Sequence, residues 1–285
     1  MIERPRRTLV PLLAAAALAI ALPAAAYATQ VISLSGSTAA FPLLELLTAK
    51  YSALQHHKVK FIVAQGGSTV GINDVAAGRV NIGDASAAPT STTPGGLDFY
   101  PIAKYFVCVV TNKSNPISNL TTSQVESIFE GKVTNWSQVS GSTLSTPIDV
   151  ESRTSVAGVL TTFASTLLGG AKSTVIKPGV QQWASEGLMQ NAVATDPNAI
   201  GFLSDYYALD DKKISPVAYN GIGCNVANTV NETYPGWAFF YEVTRGSATG
   251  TPEGRFINWI KTSKPAKKII EKQWIPLTLP KTVSG

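Results

Sequence analysis

Along most of this chain, short apolar runs end in small polar turns rich in Gly, Ser and Thr, and a new apolar run then begins at a different period. Residues 31–42, VISLSGSTAAFP, carry a strand-like run into Ser35-Gly36-Ser37-Thr38 and then, through Pro42, into the helical pattern FPLLELLTAKY. The unit recurs. Residues 59–63 form a β-rich run followed by the turn 65–69 and a helical stretch at 70–77. Residues 80–83 read as another strand that ends in Asp84-Ala85-Ser86. This is the βαβ rhythm of an α/β domain, whose polar loops lie at the carboxyl ends of the strands.

The rhythm shifts at residues 99–110, a long apolar run that could leave one domain and enter the next, punctuated by residues 112–115 and Pro116. Thr121-Thr122-Ser123-Gln124 has the form of a capping box, opening a helix that runs to Phe129 and stops at Gly131. Trp136 is read as a core anchor. In residues 148–163 a short strand meets Glu151-Ser152-Arg153-Thr154-Ser155 and a helix begins. Further helices are expected over 186–194, 252–261 and 266–273, with a strand over 199–203. No repeat of roughly 20–50 residues is visible.

The turns carry the chemistry. A helix start leaves backbone N–H groups unpaired and holds partial positive charge, so hydroxyl side chains around it make a cradle for an anion. Ser and Thr also cap helices that bind nothing; recurrence is what argues for a ligand. Ser37/Thr38, Ser68/Thr69 and Asp84/Ser86 each sit at a strand's carboxyl end, where sheets of this type bind ligands, and could converge on one crevice. Arg153 stands beside a fourth helix start, and its planar fork of donors suits a tetrahedral oxyanion. The alternative is a surface Arg paired with Glu151 or solvated.

Charge and composition narrow the class. Arg4, Arg6 and Arg7 precede an apolar run at 9–22, Pro23 breaks it, and Ala26-Tyr27-Ala28 supplies a signal-peptide cleavage site, so residues 1–28 are expected to be removed and the protein to be periplasmic or secreted. No Cys follows the site to carry a lipid. Cleavage removes three Arg and one Glu, taking the formal charge from +5 to +3. That balance, without a dense basic field, speaks against nucleic acid. The composition, 45% hydrophobic, supports an ample core. Export permits a disulfide between Cys108 and Cys224; two buried free thiols are the alternative, and sequence separation does not decide. His56 and His57 are adjacent, so in an extended segment they point apart and make a poor metal pair; no metal, cofactor or catalytic role is expected of the chain. Lys261, Lys264, Lys267, Lys268 and Lys272 read as a solvated face.

SGSTAAFP, GGSTVGI, VNIGDAS, NKSNPI with SNLT, IFEGKVTNW, the segment 153–163, NAIGF and YPGWAFFYEVTRG follow one another along nearly the whole mature chain. In that order they resemble the periplasmic phosphate-binding proteins of ABC transporters. The resemblance implies an α/β periplasmic binding protein (type II) flytrap, two α/β domains joined by two hinge strands near 101–108 and 237–243. Domain 1 would comprise 29–103 and 238–285, and domain 2 would comprise 104–237. It also implies a monomer that holds inorganic phosphate or a similar oxyanion and hands it to an ABC permease in the inner membrane. The family's contacts fall on Ser37, Thr38, Ala39, Ser68, Thr69, Ser86, Arg153, Ala157, Gly158 and Val159. Two departures stand out. Ser86 occupies a place where the family often has Asp, and Ala157-Gly158-Val159 replaces Ser-Gly-Thr, removing two hydroxyl donors. Asp84 and Ser155 are the secondary candidates to compensate. The lost hydroxyls are the feature that would favour a sensor, adhesin or matrix component over a transport protein. Arg153 is expected to be the site's only full positive charge, and its loss to leave the unliganded fold almost as stable.

Overall fold

The computed structural model describes Met1 and residues 29–169 and 176–277; the expected signal peptide, Met1 aside, lies outside the described residues. Most helix starts fall where the sequence supplies a cap or proline, but the helices that begin at Ser68 and Gly158 have neither. β1 (Gln30–Gly36) leads into α1 (Phe41–Leu54), with Pro42 in its first turn, and β2 (Val59–Gln65) leads into α2 (Ser68–Ala76). β3 (Ile82–Ala85) precedes the long β4 (Leu97–Asn112), after which come β5 (Asn119–Leu120) and α3 (Thr122–Phe129). The capping box is formed, since Thr121 Oγ1 accepts from Gln124 N–H while Thr121 N–H donates to Gln124 Oε1. β6 (Asp149–Arg153) and α4 (Gly158–Leu167) follow, then β7 (Gln181–Trp183), α5 (Glu186–Thr195), β8 (Ala199–Ser204) and α6 (Asp205–Asp210). The chain continues through β9 (Ile214–Pro216), β10 (Ala218–Tyr219), α7 (Val226–Val230) and β11 (Trp237–Arg245). It closes with α8 (Pro252–Thr262) and α9 (Lys264–Ile270).

The main sheet has the order β2-β1-β3-β11-β4-β8-β6-β7, with β9 also on β4. β1, β2 and β3 are mutually parallel on one side, and β8, β6 and β7 on the other. The two halves share β4. Its first part, Leu97 to Phe106, pairs antiparallel with β11, and from Val107 to Thr111 it pairs with β8 instead. The change of partner is why residues 105–110 are buried without a break: from Tyr105 onward the strand is covered on both faces, whereas Phe99, Tyr100, Pro101 and Lys104 before it are half-buried. By these pairings β1, β2 and β3 run with β4, whereas β8, β6 and β7 run against it, so the carboxyl ends of the two parallel sets point toward each other near the change of partner.

The core follows the two halves. Tyr51, Phe61, Phe256 and Trp259 pack edge-on and tilted between α1, β2 and α8. Phe163 stacks on Phe202 at 4.1 Å in the second half, with Phe129 against both. Trp136 is fully buried and its Nε1 donates to Asn198 O at 3.0 Å, the anchor role its sequence suggests. His56 and His57 are exposed and occupy left-handed backbone, with φ of 49° and 58°, in the turn after α1. They are not in the extended segment assumed for them, and by helix rise they sit about 20 Å from the start of α1.

Cys108 on β4 and Cys224 ahead of α7 are joined in a disulfide spanning 116 residues of sequence, which decides between the two alternatives. Closing a loop of that size removes much denatured-state entropy, so the Cys108→Ser/Cys224→Ser protein is expected to lose about 3–5 kcal/mol. Urea unfolding of the oxidised and double-variant proteins tests this; coincident midpoints would refute it.

Candidate functional site

Three loops of the first half are tied together before any second-half residue reaches them. Gly36 has φ of 143°, and a Cβ there would lie 2.2 Å from Asp84 O, so only glycine lets β1 pass the end of β3 this closely. Ser37 N–H donates to Asp84 O at 3.0 Å, and the amides of Gly66 and Gly67 donate to Gly36 O at 3.0 and 2.8 Å. Ser37, Thr38, Ser68 and Ser86 are thereby gathered and buried. Ser68 Oγ accepts from Ser86 N–H at 3.0 Å and lies 3.1 Å from Ser86 Oγ.

Arg153 ends β6 and is 1% exposed. Its Nε donates to Trp183 O at 3.0 Å, Nη1 to Glu186 Oε1 at 3.1 Å, and Nη2 both to Ala184 O at 3.1 Å and, from across the cleft, to Thr38 Oγ1 at 2.8 Å. Of five guanidinium hydrogens, one on Nη1 is left over. Glu186 is fully buried as the first residue of α5, where the helix dipole suits an acid. Its Oε2 accepts from Ser204 N–H at 3.0 Å and from Ser204 Oγ. Burial pushes the Glu186 carboxyl up while Arg153 and Ser204 hold it down; burial likewise lowers Arg153 and Glu186 opposes it. The pair is an ion pair fixed by hydrogen bonds on both sides, and Glu186, not Glu151, is the partner. Glu151 accepts from Trp183 Nε1 instead.

The halves meet directly. Gly158 opens α4, and a Cβ there would lie 2.4 Å from Ser68 Oγ and 2.6 Å from Ser86 Oγ. Thr69 N–H donates to Val156 O at 3.1 Å, and the Thr162 hydroxyl donates to Ser86 O at 3.0 Å, as does that of Tyr105. Between these contacts Ser37, Thr38, Ala39, Gly67, Ser68, Ser86, Arg153, Ala157, Gly158 and Val159 line a narrow gap where the halves meet, closed so tightly in this arrangement that it has no room for a water molecule. The starts of α2 at Ser68 and of α4 at Gly158, whose first amides a helix leaves without internal partners, border the same space.

This lining holds all but one of the contact positions expected from sequence. Thr69 is exposed, and its amide, not its hydroxyl, crosses the cleft. Ser155 is exposed as well and supplies nothing in place of the hydroxyls absent at Ala157 and Val159. Asp84 is buried but turned away from the cavity. β3 stays paired with β11, which sets Asp84 opposite Glu242. Glu186, Glu242 and Tyr105 were not singled out in the sequence. An acid just after Ser185 reads there only as a helix-start residue, and nothing local ties it to an Arg 33 positions earlier.

The Asp84–Glu242 pair has a stability consequence. Burial first, then the neighbouring Glu242, pushes Asp84 well above the usual carboxylate range, and burial pushes Glu242 up to about 7. Groups that bind protons more tightly when folded stabilise the protein below their unfolded pKa, and that contribution is lost as pH rises through the folded value. Stability is therefore expected to fall between pH 5 and pH 8 by on the order of 2 kcal/mol. Glu242→Gln should flatten this dependence, and an unchanged slope of urea midpoint against pH would contradict it.

A model of the PBP superfamily domain matches residues 23–262. The phosphate-binding protein PstS of Bacillus subtilis (strain 168) is 27% identical over 253 residues, covering 87% of this chain and 81% of that one. The protein SphX of Synechococcus elongatus is 25% identical over 275 residues, covering 90% and 80%. Among solved structures, a substrate-binding protein assigned to a phosphate ABC transporter of Clostridium perfringens, with bound phosphate, matches at a TM-score of 0.80 and 27% identity over 87% of this chain and all of that one. An ABC-type phosphate transport receptor from Vibrio cholerae matches at a TM-score of 0.70 and 28% identity over 86% of this chain and 100% of the other.

Proposed function

The chain belongs to the PBP superfamily, and from that premise we propose that it is an extracytoplasmic solute-binding protein that captures phosphate, or a related tetrahedral oxyanion, between its two halves for uptake by an ABC transporter. The observation that carries this reading is the convergence of a buried guanidinium, hydroxyls from three loops and two helix starts on one narrow gap from opposite sides of the cleft, which the halves must open to admit an anion. Such a set stabilises negative charge from every direction and presents no nucleophile–base pair, so it fits binding better than catalysis. The names of the relatives support phosphate as the ligand and ABC uptake as the destination.

In this reading β4 and β11 are the hinge strands. The first domain spans 29–103 and 238–285 and the second 104–237, and the protein acts as a monomer. A ligand that touches both domains favours closure by its differential affinity for the closed form. The methyls of Ala157 and Val159 replace hydroxyls, yet the amides at the start of α4 still face the anion. Protein taken from the secreting cell begins at Thr29.

A thermal-shift panel with phosphate, arsenate, sulfate and molybdate tests the reading. A ligand at a hundredfold excess over its Kd adds about 2.7 kcal/mol, so phosphate should raise the melting temperature clearly. No shift with any of the four would contradict oxyanion capture.

A further inference from the structure

The cavity has donors on every side and no ionisable acceptor. Asp84 faces Glu242 behind β3, and both oxygens of Glu186 are occupied by Arg153 and Ser204. The carbonyls at hand are also engaged: Ser86 O accepts from Tyr105 and Thr162, and Thr38 O from Tyr207 at 3.4 Å. Thr38 Oγ1 accepts from Arg153, and Ser37 Oγ from Ala40 N–H at 3.3 Å. Each of these groups has given up at least one lone pair, whereas Ser86 Oγ accepts from no group but Ser68, so the Ser68–Ser86 pair is the acceptor left most open to a hydrogen on a bound anion.

That pair has two hydrogens and two arrangements. When Ser68 donates to Ser86, the Ser86 hydrogen is free for an anion oxygen. When Ser86 donates to Ser68, Ser68 Oγ accepts two hydrogen bonds and turns its own hydrogen to the cavity, while Ser86 Oγ keeps lone pairs open to an O–H of the ligand. The exchange moves only hydrogens. Main-chain bonds fix Ser86 in place throughout, and the absent Cβ of Gly158 leaves both hydroxyls room.

We infer that the Ser68–Ser86 hydroxyl pair is a reversible donor–acceptor couple that lets the cavity take hydrogen-bearing and fully ionised tetrahedral oxyanions alike. The inference rests on the proposed oxyanion site. A carboxylate at this place would instead accept from an O–H and repel an anion that has none, which is how a site rejects a near-isostere through an unsatisfiable group. With Ser86 that rejection is lost, and phosphate and sulfate become competitors.

Calorimetry with phosphate and with sulfate at pH 6 and pH 8 tests this on the unmodified protein and on Ser86→Asp and Ser86→Ala. In the unmodified protein, sulfate should bind within about tenfold of phosphate, and the phosphate Kd should change by less than about fivefold between the two pH values. Ser86→Asp should raise the preference for phosphate over sulfate by at least about a hundredfold. Ser86→Ala should weaken phosphate at pH 6 more than sulfate, because only the hydrogen-bearing anion loses an acceptor. Unmodified protein that binds phosphate but excludes sulfate by more than about a thousandfold overturns the inference and leaves the oxyanion reading intact. An unchanged ratio in Ser86→Asp also overturns it. Failure to bind either anion removes both.

Discussion

Arg153→Ala is expected to weaken phosphate binding by a hundredfold or more and also to destabilise the unliganded protein. The first effect follows from charge-assisted hydrogen bonds worth roughly 1.5–3 kcal/mol each, at about 1.4 kcal/mol per factor of ten. The second departs from what the sequence suggests, because the structure pairs Arg153 with Glu186 where both are essentially without solvent. Removing one member of a buried pair strands the other, at a cost of about 3–5 kcal/mol. Arg153→Ala/Glu186→Gln separates the two roles, restoring much of the stability while binding stays weak. Arg153→Lys should rescue neither fully, since a point charge cannot reach Trp183 O, Ala184 O, Glu186 and Thr38 at once. Urea midpoints and phosphate calorimetry read the two effects separately. Binding as tight as in the unmodified protein would remove Arg153 from the site.

Gly158→Ala is expected to lower phosphate affinity by at least about a hundredfold while leaving the unliganded protein as stable as before or slightly more so. The added Cβ would fall 2.4 Å from Ser68 Oγ and 2.6 Å from Ser86 Oγ, so the halves could not reach the closed arrangement. The three atoms nearest that methyl all belong to the first half, so separating the halves relieves it of them, and Ala favours a helical position over Gly by up to about 1 kcal/mol. The opposite signs are the diagnostic feature. Small-angle scattering should show the unmodified protein contracting with phosphate and the variant not doing so. A variant that binds within about threefold and still contracts would show that the cleft does not close against Gly158.

Much of this was legible in the chain, for identifiable reasons. The first loops could be read because β1, β2, α1 and α2 have clean apolar periods separated by Gly, Ser and Thr, and the capping box at Thr121 was local chemistry complete in four residues. α2 begins at Ser68, two residues before the apolar pattern, because helix starts are set by polar residues that periodicity does not see. β5, β7, β9 and β10 have only two or three residues each, and tertiary pairing alone makes them strands. Strand alternation alone would put Asp84 on the side of Ser86. β3 ends at Ala85, so the alternation does not extend to Ser86. Arg153 was recognisable as a cation beside a helix start, but its partner came from α5, a distance in sequence that no local pattern spans. The same holds for Cys108 with Cys224.

The most direct test of oxyanion capture between the halves is a crystal structure of the protein grown with phosphate. The account predicts one phosphate within the space lined by Thr38, Ser68, Ser86, Arg153 and Gly158, touching both halves, with Arg153 still held by Glu186. Phosphate bound outside that space, or an empty cavity at saturating phosphate, would contradict it.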